Sequence, residues 1–262
     1  NMSKTFDITK SQQGGWGGLN NAPSAFFNIL YFKNILSAFT LAEVLITLGI
    51  IGIVAAMTLP ALITRNQNKA LEASLKKNYS VILQAFEMYQ AEHGERLRPE
   101  ILGAGGTLTG LKAQIMPYFK IIADCGTYSN THPACIPYNA DNPNNSYRTY
   151  DGKQKIGLTL FDDGQFVLTD GSLILIENMT GAKYAFITVD VNGRNKKPNR
   201  WGHDLFTFHL TDDGRIVPAG TPQSTYSAQG TYCSSTSAHA RNGIGCTYYA
   251  LNDKDYFNNL PR

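Results

Sequence analysis

Charge is scarce in this chain: Asp, Glu, Lys and Arg together make up 16% of its 262 residues, and the net charge is +3. The first 38 residues hold Lys4, Lys10 and Lys33 against Asp7, which is +2 of that total and leaves +1 for everything that follows. So neutral a body has no broad field for phosphates, and nucleic acid is not an expected partner on charge alone. Catalytic signatures are missing too. The five histidines (His93, His132, His203, His209 and His239) form no H-E-x-x-H, and there is no G-x-S-x-G elbow. Arg241-Asn242-Gly243-Ile244-Gly245 lacks the Lys-Ser/Thr that would make a phosphate loop. No enzyme is expected from these residues. Nor is there a zinc knuckle, because none of the four cysteines is spaced C-x-x-C.

Those cysteines fall as Cys125 with Cys135 and Cys233 with Cys246, ten and thirteen positions apart. Four cysteines allow three pairings. The two sequence-local disulfides are preferred, since each would pin a loop of small and polar residues in an exported domain. Four reduced, buried cysteines would instead suit a cytosolic protein, which conflicts with the segment described next.

From Phe39 to Ile63 the chain is almost wholly apolar. At about 1.5 Å per residue this is roughly 37 Å of helix, enough to cross a bilayer. Glu43 alone interrupts it with a charge. A carboxylate in hydrocarbon costs on the order of 2–3 kcal/mol or more and needs a partner. The nearest bases, Lys33 and Arg65, are beyond one helical turn, so the partner comes from elsewhere or from another chain. A plain signal peptide fits poorly, for its n-region would be about forty residues with three lysines. An ordinary signal anchor is a second reading. Gly49 and Gly52 permit close helix approach, and Pro60 is expected to kink or locally melt the helix.

The third reading rests on Ala38-Phe39-Thr40-Leu41-Ala42-Glu43-Val44-Leu45-Ile46. This run resembles the cleavage and methylation motif of type IV pilins and of type II secretion and competence pseudopilins. The resemblance implies that a prepilin peptidase cuts between Ala38 and Phe39 and that the new amine of Phe39 is methylated. Ala38 stands where the family most often has Gly. Glu43 becomes the fifth mature residue and Pro60 the twenty-second, as in the family pattern. Residues 1–38 are then a leader, with initiation at Met2, at an internal site or in a longer chain. Glu43 would pair with the Phe39 amine of a neighbouring subunit. Partners implied are other pilin or pseudopilin subunits, the peptidase, an inner-membrane assembly platform and lipid. The implied place is the inner membrane, single-pass, with the head in the periplasm or outside. Arg65 and Lys69 after the span do not by themselves give that orientation under the positive-inside rule.

Beyond Arg65 the helix turns amphipathic: Leu71, Leu75, Tyr79, Ile82, Phe86 and Tyr89 recur at steps of three and four. Gly94 marks its end. The expected organisation is a span over 39–63, an amphipathic half over 64–94 and a head over 95–262. The head should be α+β, an antiparallel sheet of about four to six strands packed on the helix, the α/β roll the resemblance implies. A short helix is expected around Leu108–Phe119. Strands are expected at Lys155–Phe161, Gln165–Thr169, Leu173–Ile176, Ala185–Val191, Phe206–Leu210 and Arg215–Val217. Asp162-Asp163-Gly164 and Asp212-Asp213-Gly214 read as hairpin turns with solvent-facing carboxylates.

Asp190-Val191-Asn192-Gly193 through Pro198-Asn199 to Gly202-His203-Asp204-Leu205-Phe206 is similar to a pattern in heads of pilin-like secretion proteins. Asp190, Asn192 and Asp204 offer hard oxygens, and related heads use calcium to order a loop. The alternative is that Asp190 and Asn192 cap a turn while Asp204 accepts from backbone amides. Arg194, Lys196, Lys197 and Arg200 beside Trp201 could touch phosphates and a base face, against a simple solvated loop. The expected function is a structural subunit, a pseudopilin or minor pilin. A pilus-tip adhesin or DNA-uptake subunit is the alternative, and a membrane-anchored enzyme a third.

Overall fold

The computed structural model describes residues 39–105, 107–127, 132–137, 147–178 and 184–261. The expected leader, with Ala38, lies outside them. The chain divides into two compact units, 1–51 and 52–262. In the first, the described residues are the opening turns of helix α1 (Leu41–His93).

The second unit holds the rest of α1, then α2 (Leu111–Ile115), strands β1 (Ile121–Asp124), β2 (Gly164–Leu168), β3 (Leu173–Asn178), β4 (Ala185–Asp190), β5 (Leu205–Leu210) and β6 (Ile216–Pro218), and helices α3 (Gln229–Tyr232) and α4 (Cys246–Asn252). The strands form one sheet in the order β1-β2-β3-β4-β5-β6, every neighbour antiparallel. This is an α+β fold: one long N-terminal helix and a six-stranded antiparallel sheet.

The amphipathic stripe of α1 explains why helix and sheet meet. Leu71, Leu75, Ile82, Ala85, Phe86 and Tyr89 are buried with Phe166, Ile174, Ile187, Phe206 and Phe208 from one face of the sheet. Tyr79 stacks on Phe208 with ring centroids 5.0 Å apart. Each such side chain contributes roughly 1.5–3 kcal/mol on full burial. Polar latches fix the register, with Ser74 Oγ donating to the Val191 carbonyl at 2.7 Å and Asn78 Nδ2 to Ser172 Oγ at 3.1 Å. The helix ends at Gly94, whose φ of +77° is the left-handed conformation that glycine adopts at helix C-termini.

The opposite face is also covered. Val167, Leu173, Leu175, Phe186 and Leu205 pack with Tyr147, Ile156, Trp201, Tyr226 and Ile244. Covered on both faces, β3 reads as the unbroken run Leu173-Ile174-Leu175-Ile176 rather than an alternation. Both local disulfides form, Cys125–Cys135 and Cys233–Cys246.

Three expectations change. Lys155–Phe161 is not a strand: Lys155 makes a single bridge to Arg148, and Leu158–Leu160 is a 3-10 turn. The segment around Leu108–Phe119 shortens to α2, because Pro117 has no N–H to extend it and Met116–Tyr118 tightens into 3-10 geometry. Pro60 does not melt α1, which runs unbroken past it.

Candidate functional site

The apolar opening of α1 is the first candidate. Among the described residues one helix, α1, is long and apolar enough to cross a membrane, and none of its apolar window is buried within the protein. Phe39, Leu45, Ile46, Ile51 and Met57 are all exposed. Glu43 is not idle there. Thr40 N–H donates to Glu43 Oε2 at 2.8 Å, and the Glu43 amide donates back to Thr40 Oγ1 at 3.2 Å. This is a capping box, which satisfies two amide donors at the helix start reciprocally. Its sequence signal is the T-x-x-E of Thr40–Glu43 ahead of an apolar run.

The second candidate is the loop after β4. Asp190, Asn192 and Asp204 do come together, with both carboxylates fully buried. Asp190 Oδ1 accepts from the amides of Asn192 and Gly193, and its Oδ2 accepts from the Tyr147 hydroxyl. Asp204 Oδ2 accepts from the Asn199 amide and Oδ1 from the Arg200 amide, both at 2.7 Å. All four carboxylate oxygens thus have protein donors. Of the three residues only Asn192 offers a buried oxygen, Oδ1, without one. Calcium takes about six to eight oxygens. The hydrogen bonds are those of the turn-capping alternative, and they supply the loop's order from the chain itself. Burial first, then their mutual repulsion, raises the Asp190 carboxyl well above the usual range, and burial raises Asp204.

The basic loop beside it is mostly engaged. Trp201 is fully buried with Nε1 donating to Thr207 Oγ1, so it offers no face to a base. Arg194 donates to the Cys135 carbonyl and Arg200 to the Pro261 carbonyl. Lys196 and Lys197 stay exposed. Of the five residues considered for nucleic acid, three are committed to the fold, and the buried Trp201 does not serve the stacking alternative. His203 Nε2 lies 3.1 Å from the Tyr150 carbonyl, and burial lowers its pKa to about 4.

The two D-D-G turns differ. Asp213 is at the surface, with Oδ2 2.6 Å from Arg215 Nε. Asp162 and Asp163 instead turn inward beside Glu177 of β3, where burial raises all three carboxyls, Glu177 to about 8. The solvent-facing expectation therefore holds for one turn and fails for the other. The difference is Glu177, which follows an apolar run and gives no sign in the sequence of what faces it.

No family model, curated protein or solved structure matches the chain.

Proposed function

We propose that this chain is a pilin-like structural subunit, anchored in the inner membrane by the first part of α1 and built into a filament as a pseudopilin or minor pilin. The observation that carries the reading is a register. Phe39, Glu43 and Pro60 take mature positions one, five and twenty-two of a helix whose apolar first window is not buried by any of the described residues. So large an apolar surface calls for lipid or for other such helices. Two disulfides in the head suit an oxidising compartment, so the head lies outside the cytoplasm. In lipid or in a helix bundle, Glu43 would keep its Thr40 donors on Oε2 and take the amine of a neighbour's Phe39 on Oε1, compensating both charges only in the assembly.

N-terminal sequencing of the mature protein tests the reading. N-methyl-Phe at residue 39 is expected. An intact leader, or a cut after Ala61, would overturn it. Glu43→Ala is expected to be processed yet to fail in assembly, read by filament shearing; normal filaments from that variant would remove the pairing.

A further inference from the structure

Across the covered face of the sheet, away from the Asp190 loop, lies an acidic group with a different character. Gly164 pairs with Ile176, so one further antiparallel step sets Asp163 opposite Glu177. One carboxylate oxygen from each of Asp162, Asp163 and Glu177 lies within 4.8 Å of the other two. A point at their centre is then no more than about 2.8 Å from each, close to the 2.3–2.6 Å of calcium–oxygen bonds.

Two observations separate this group from a chance cluster of acids. Glu177 is only 9% exposed, and its Oε2 is buried with no hydrogen-bond partner among the described residues. A buried carboxylate oxygen left without a donor is costly unless something absent from the chain meets it. The second is that the site is built. Asn178 N–H donates to Asp163 Oδ2 at 2.6 Å, while Asn178 itself is held by the Leu111 amide and the Gly103 carbonyl. Gly105 makes room, since a Cβ there would stand 1.7 Å from Asp163 Oδ1. None of the three acids belongs to an ion pair among the described residues. The cation whose charge Glu177 feels is Arg241, and its guanidinium donates to the Tyr226 hydroxyl.

We propose that Asp162, Asp163 and Glu177 form a binding site for a hard divalent cation, with Ca²⁺ the ion that suits their all-oxygen donors and spacing. Water completes the coordination. The ion would fasten the lead-in to β2 onto the end of β3. This inference is independent of the filament reading.

The test uses the full chain in detergent micelles, stripped with EDTA and titrated with CaCl₂ by calorimetry, with MgCl₂ as a parallel arm. One Ca²⁺ per chain is expected, with a rise in Tm, and weaker binding of Mg²⁺, which demands tighter octahedral geometry. Glu177→Gln and Asp162→Asn should each weaken Ca²⁺ by at least about tenfold, while Asp213→Asn at the other D-D-G turn leaves it unchanged. Circular dichroism checks the fold of each variant, and the two variants stand in for one another. Terbium luminescence of the unaltered chain, displaced by Ca²⁺, gives a readout that needs neither. Absence of both heat and luminescence, or binding undiminished in the folded variants, would overturn the site.

Discussion

Two acidic groups lie on the same face of the sheet. Asp190 pairs with Leu173 at the start of β3, and Glu177 is four residues further along that strand, roughly 13 Å away. Both groups gather carboxylates away from water, yet they differ in what meets them. At Asp190 and Asp204 the chain supplies five donors to four oxygens, all but one of them backbone amides. At Glu177 one oxygen is left bare and the neighbours are like charges. A buried acid is therefore not in itself a ligand set. What distinguishes the two groups is that every oxygen has a donor in the first and one oxygen has none in the second.

That contrast can be broken most forcefully at Asp204. Asp204→Ala removes the acceptor for the buried amides of Asn199 and Arg200, and about 3 kcal/mol or more of stability should go with it. Urea denaturation measures this, and a loss below about 1 kcal/mol would show that these bonds matter little.

Glu177 should behave in the opposite way when metal is absent. Its folded pKa, about 8, lies above the ordinary 4.5. The stability linked to it is fully present below about pH 4.5 and is lost as pH rises through about 8. Thermal unfolding in EDTA should therefore show Tm falling across that window. The fall should be shallower in Glu177→Gln, which stays neutral throughout. Equal slopes in the two proteins would place the repulsion elsewhere.

The smallest effect is expected at the turn that only resembles the site. Asp213 and Arg215 are more than half exposed, so Asp213→Asn should leave the urea midpoint essentially unchanged. A larger change would mean that the two D-D-G turns are more alike than their surroundings suggest.

Legibility in the sequence followed the same division between local and cross-strand information. The stripe from Leu71 to Tyr89, the strand over 185–190 and the two disulfide pairs were readable because each signal is contained in one short segment. Strand β1 was missed. It has four residues, sits at the sheet edge and shifts register between Ile121 and Ala123, so its pairing with β2 defines it more than its composition. Lys155–Phe161 misled because its apolar residues resemble a strand, whereas its backbone closes a 3-10 turn. The Asp190 loop was legible as a turn motif. The Glu177 group was not, since two of its acids sit before β2 and the third on β3.

The capping box at Thr40 has a consequence for how α1 could meet another helix. Both Thr40 donors end on Glu43 Oε2, so Oε1 keeps its lone pairs and can take a further donor with the cap left whole. The first turn is therefore set before any other helix arrives, and a donor that reached Oε1 would add to that turn without undoing it.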